Sequence, residues 1–167
     1  MKLLRLFDKF FTPKIAYAHC DVPCGIYDPH EAQMAAHTVL RMTTLIEELK
    51  ASSDEPEFSE RKRIISQLAR LTKVKEDHAE IVKHQVRIIW GDYFKPEHLD
   101  KHKDLHDLVF KIMKQASIAR QGVDILSSKE LLTMVQRFAE IFWQTKERKI
   151  VRVKSGYPTE GEIVLPS

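Results

Sequence analysis

Three residues near the start of the chain have the types and spacing to bind a metal. They are His19, Cys20 and Cys24, in H-C-D-V-P-C-G-I-Y-D-P, 19–29, and they include both cysteines of the protein. Just upstream, Ala16-Tyr17-Ala18 has the Ala-x-Ala form of a protease cleavage site. A cut after Ala18 gives residue 19 a free α-amine. That amine, the Cys20 amide nitrogen and the Cys20 sulfur are then consecutive donors, and one metal bound to all three closes two fused five-membered rings. Cys24 brings a fourth donor, because Pro23 and Gly25 favour a tight turn. The set is planar, two nitrogens and two sulfurs. The His19 imidazole closes a six-membered ring with the same amine and so reaches only an axial position. Planar, N-rich sites suit Ni(II) or Cu(II), whereas tetrahedral thiolate sites suit zinc. Both thiols must lose their protons, so binding weakens in acid. The bare C-x-x-x-C spacing leaves other readings open: two unrelated cysteines, or a labile disulfide one residue longer than the C-x-x-C redox motif.

The elements that must position these residues read as helices. Asp28 as N-cap and Pro29 as first helical residue start one, and Ala32, Ala35, Val39, Met42, Ile46 and Leu49 give it an apolar face. The stretch 51–58 breaks it. A second helix runs from near Ser59 to near Gly91, with Ile64, Leu68, Leu71, Val74, Ile81, Val82, Val86 and Ile89 as its stripe. A third is expected over 97–120. Ser127 and Glu130 make a capping-box pattern for a fourth, with Leu131, Val135, Phe138 and Phe142 facing in. The expected fold is all-α, an antiparallel up-and-down four-helix bundle with an N-terminal metal hook and a short extended C-terminal tail. The division is 1–18, a cleaved propeptide; 19–29, the hook; 30–147, the bundle; 148–167, a C-terminal extension. That extension has β-branched residues around Ser155-Gly156-Tyr157-Pro158, which fits a small hairpin and fits a flexible tail equally.

Composition narrows the function classes. The leader 1–18 carries Lys2, Arg5, Lys9 and Lys14 against Asp8, which is the whole of the formal charge of +3. The body is neutral, which excludes the basic footprint of a nucleic-acid binder. No apolar run approaches the roughly 18–20 residues that a membrane helix needs. Charges at Arg5, Asp8, Lys9 and Lys14 interrupt any signal-peptide core, so the leader reads as a propeptide or as a frayed amphipathic N-terminus, and a cytoplasmic location is expected.

The hook string resembles the nickel-binding hook of the nickel-containing superoxide dismutase family. W-G-D-Y-F-K-P, 90–96, and I-F-W-Q-T-K, 141–146, are similar to two further segments of that family, and the leader is similar to its propeptide. The resemblance implies a four-helix-bundle subunit, a homohexamer matured by a protease, and one nickel per subunit cycling between Ni(II) and Ni(III) to convert superoxide to dioxygen and hydrogen peroxide. It implies His19, Cys20 and Cys24 as nickel ligands. Tyr27 and Tyr93 are the tyrosines beside the open axial face, and Asp21 helps to hold the hook. The chain departs from the family pattern in one place. Where members carry a Glu and an Arg behind the axial imidazole, this sequence has Ala35 and His78.

Steering a small anion uses positive potential, and Lys95 is the nearest cation in sequence. His98, His102 and His106, four apart, would share one helix face, which reads as solvated rather than as a second metal site. Two other functions use the same residues: a nickel or copper carrier without turnover, and a helical module with a Cys20–Cys24 redox switch.

Overall fold

The computed structural model describes residues 25–167. Helix α1 spans His30–Glu47, and the Asp28 carboxylate accepts the His30 N–H at 2.7 Å, as the Asp-Pro start requires. Its first two turns present Ala32, Ala35 and Ala36, all buried, so a neighbouring helix can approach closely. Helix α2, Phe58–Ile88, continues without a break into a π-helical turn, Ile89–Tyr93. A short α3, Pro96–Lys101, follows, then α4, Leu105–Gln121, and α5, Ile125–Thr145. Helix α1 packs on α2 and α5, and α4 packs on α2 and α5. Val39, Val82, Ile112, Phe138 and Phe142 meet inside this ring and are fully buried.

Three expectations need correction. The third helix is not continuous over 97–120. It stops at Lys101, and His102, at φ −127° and ψ 68°, turns the chain before α4 starts with the buried Leu105. The cap of α5 lies three residues before Ser127. The Asp124 carboxylate accepts the N–H groups of Leu126 (3.2 Å) and Ser127 (2.8 Å), a stronger anionic cap at the positive end of a helix. The apolar stripe of α2 is buried only in its second half. Lys75, Ala79, Val82 and Val86 face inward there, while Ile65 is 67% and Leu68 40% exposed. Lys75 donates from Nζ to the Gly122 carbonyl just past α4, and desolvation by burial lowers its pKa.

The C-terminal extension is a hairpin. β1, Ile150–Lys154, pairs antiparallel with β2, Glu162–Pro166, in the register Ile150 to Pro166 and Lys154 to Glu162. Gly156, at φ 69°, makes the turn that L side chains rarely adopt. β2 lies on α5 and α1 and buries Ile163 and Val164.

Candidate metal centre and the tyrosine corner

His19, Cys20, Asp21 and Cys24 lie outside the described residues. The described chain opens at Gly25, whose φ of 71° suits glycine, with nothing within 4 Å of where a Cβ would stand. The backbone turn, not crowding, requires glycine here. Among the described residues no group of three or more His, Cys, Asp or Glu side chains could hold a metal ion. The two thiols and the histidine of the hook therefore have no rival donor cluster there.

The structure brings Tyr27 and Tyr93 together. Their ring centroids are 5.8 Å apart at 52°. Tyr27 leads into α1, and Tyr93 is the last residue of the π-helical turn. Such turns add a residue to a helix and re-aim the side chains beyond it. Here the turn closes with Phe94 N–H donating to the Ile89 carbonyl at 3.3 Å. Tyr93 then packs on Phe142 (4.7 Å) and Phe94 (5.2 Å). Its hydroxyl lies 2.8 Å from Thr145 Oγ1, and Thr145 Oγ1 donates to the Phe142 carbonyl at 2.7 Å. A hydroxyl has one proton, so Thr145 spends its own on Phe142 and Tyr93 donates to Thr145. The Tyr93 oxygen is left as an acceptor.

The cation at this corner is Lys146, which sequence reasoning missed. Its Nζ sits 5.3 Å from the Tyr93 centroid and 4.9 Å from that of Phe142. Lys95, the predicted cation, contributes its backbone. Its N–H donates to His98 Nδ1 at 3.1 Å, and its carbonyl accepts from His98 N–H at 2.9 Å, so it opens α3. His98 stacks on Tyr93 at 5.5 Å and 21°. The three histidines do not share a face: His106 lies on α4, where its Nδ1 accepts from Trp90 Nε1 at 2.9 Å. Burial, and then Arg137, lowers the pKa of His102. The signal for Lys146 was the segment I-F-W-Q-T-K itself, in which α5 points Phe142, Thr145 and Lys146 toward one ring.

Ala35 and His78 line one cavity of about 130 Å³, together with Glu31, Met34, Thr38 and Ile81. His78 Nδ1 donates to the Val74 carbonyl at 2.8 Å within its own helix. Glu31, one turn before Ala35, is the acid in this wall and accepts from Gln85 Nε2 at 2.7 Å. Two buried polar atoms in these elements have no hydrogen-bond partner among the described residues, His30 Nδ1 at the start of α1 and Trp143 Nε1 near the end of α5.

Residues 14–146 match the model of the family described as nickel-containing superoxide dismutase. The chain belongs to that family. The Superoxide dismutase [Ni] of Streptomyces coelicolor is 36% identical over 143 residues, covering 85% of this chain and 99% of that protein. The Superoxide dismutase [Ni] of Streptomyces seoulensis is 35% identical over the same length. Among solved structures, a native nickel superoxide dismutase superimposes with a TM-score of 0.63 at 35% identity, over 77% of this chain and 99% of its own. Another, with nickel ligation corresponding to the oxidized state, gives 0.65 at 32% identity over the same shares. The nickel superoxide dismutase match ends at Lys146, so the hairpin lies beyond it. Among the described residues no helix is long and apolar enough to cross a membrane.

Proposed function

We propose that this chain is the precursor of a nickel superoxide dismutase, matured by a protease that cuts after Ala18. The observation that carries this reading is the meeting of Tyr27, three residues beyond Cys24, with Tyr93, at 5.8 Å in a chain of this family. The donor set fits nickel: the His19 amine and imidazole, the Cys20 amide nitrogen and the thiolates of Cys20 and Cys24 would hold it. Bound there, nickel supplies a one-electron couple, Ni(II)/Ni(III), that superoxide can both reduce and oxidise.

The chain's own residues do the rest. The Tyr27–Tyr93 pair narrows the approach and holds water, with the Tyr93 oxygen accepting because its proton is committed to Thr145. Disproportionation of two superoxide anions consumes two protons, and ordered water at this pair delivers them. Lys146 supplies the local positive potential that draws a small anion to a formally neutral body. Asp21 holds the hook. His78 and Glu31 bound the cavity behind it, in place of the acid and arginine of other members.

The assembly is a cytoplasmic homohexamer of antiparallel four-helix-bundle subunits. The ring of α1, α2, α4 and α5 supports the bundle. The exposed apolar stripe on the first half of α2 supports the assembly, because Ile65 and Leu68 there lack cover among the described residues. Intact mass and metal analysis of protein purified from its native host test the reading. Expected are an N-terminus at His19 and one nickel per subunit. A full-length 1–167 chain, or a mature chain carrying zinc, would overturn it.

A further inference from the structure

The hairpin is held to α1 by a small set of buried groups. Gln33, fully buried in the first turn of α1, binds both backbone groups of Val164. Its Nε2 donates to the Val164 carbonyl at 3.0 Å, and its Oε1 accepts the Val164 N–H at 2.8 Å. Gln136 on α5 donates to the Glu162 carbonyl at 2.6 Å. One turn along α1, His37 is 3% exposed. Its Nε2 lies 3.1 Å from the Glu162 carbonyl and its Nδ1 2.8 Å from Thr159 Oγ1. A carbonyl only accepts, so Nε2 carries the proton and Nδ1 accepts from the Thr159 hydroxyl. The Tyr157 ring meets the imidazole edge-on at 5.2 Å. Gly161 is close enough that a Cβ there would stand 2.7 Å from His37 Cε1. The ring is thus enclosed in its neutral form.

We propose that the C-terminal hairpin is a pH-sensitive clasp on α1, seated while His37 is neutral and released when its imidazole takes up a second proton. That proton goes to Nδ1, which then no longer accepts from Thr159, and it places a full charge in a closed pocket. The charged and titratable groups near the ring are Arg41 from α1 and Tyr157 from the turn, which line one cavity with it, and Glu162 and Arg152 from the strands; Lys154 and Glu160 line a neighbouring cavity with Tyr157. From α5 come the neutral Leu132 and Gln136. No carboxylate among them compensates the charge: Glu162 turns its own to Arg152, at 3.6 Å. Burial accordingly lowers the His37 pKa, against a smaller opposing effect of the Glu162 carbonyl.

The sign follows from linkage. The seated state binds fewer protons than the released state, so seating is strongest above the ordinary histidine value of about 6.5 and weakens as pH falls below it.

The test is amide hydrogen exchange on the full, metal-free 1–167 chain, read at the Val164 N–H. Protection, corrected for the intrinsic exchange rate, should be about tenfold lower at pH 5.5 than at pH 7.5. In His37→Gln the amide still donates to Glu162 and accepts from Thr159 but does not titrate, so protection should be equal at both pH values. Equal protection at both pH values in the wild type, or the same tenfold loss in His37→Gln, would overturn the clasp. The wild-type His37 ring signals give a check that needs no variant. They should titrate below 6.5, at the pH where the loss of Val164 protection levels off, and a ring titration unrelated to that loss would equally overturn it.

Discussion

The tyrosine corner and the hairpin clasp are built in opposite ways. The corner is aromatic: Tyr27, Tyr93, Phe94 and Phe142 pack ring on ring, with Lys146 over two of them. Its polar atoms are few, and two nearby buried ones have no partner among the described residues. The clasp is amide and imidazole chemistry, in which the buried Gln33, Gln136 and His37 satisfy the outer edge of β2. An edge strand left bare invites pairing with other chains, and buried side chains that copy backbone hydrogen bonds close it. The family match covers the corner and the helix residues of the clasp and stops short of the hairpin itself.

That contrast breaks most sharply at the hook. Cys20→Ser and Cys24→Ser each remove a soft anionic donor. Dismutase activity should fall to background in both, while helical circular dichroism and Val164 protection stay as in the wild type. Near-normal turnover in either variant would dissociate the corner from the hook.

Phe142→Ala strikes the corner from the core side. The ring is fully buried and carries Tyr93 and Lys146. Its loss should destabilise the fold by about 3–5 kcal/mol, read by denaturant unfolding. Gln33→Leu should act on the clasp alone. It leaves the buried Val164 N–H and carbonyl unpaired, weakening hairpin seating by about 2–4 kcal/mol in exchange experiments, with activity of the matured enzyme largely kept. Loss of activity without loss of protection would merge the two regions.

Lys146→Gln is the mildest. It removes steering, so kcat/KM should drop about two- to fivefold at low salt and converge with the wild type near 1 M salt, where the screening length is about 3 Å. An unchanged salt dependence would move the guiding charge elsewhere.

Much of the helical frame was legible in the sequence because each helix carries its own periodicity and start signal. Asp28 and Pro29 open α1 as expected, and Phe138 and Phe142 face inward as their spacing requires. Several of the failures share a cause, that groups far apart in sequence decide them, while others are local. Periodicity cannot separate the buried half of the α2 stripe from the half left exposed, because cover comes from other helices or other subunits. His102 interrupts a helix whose local pattern continues through it. Ser127 resembles a cap, but Asp124 is the better acceptor and wins. The tail reads as hairpin or coil until Gln33, more than a hundred residues away, is seen to bind Val164. The candidate site residues Tyr27 and Tyr93 were picked out by the family resemblance, and the fold brings their rings together. Lys146 was not picked out, because nearness along the chain pointed to Lys95.

The central claim is that the finished site needs His19 as the N-terminus. In the precursor, residue 19 offers a peptide nitrogen in place of an amine, and one planar donor is missing. The direct measurement compares superoxide dismutase activity of nickel-loaded 1–167 with that of nickel-loaded 19–167, at equal protein and with bound nickel counted. The account predicts full activity in the 19–167 chain and background activity in the precursor. Equal activity per subunit in the uncleaved chain would contradict it.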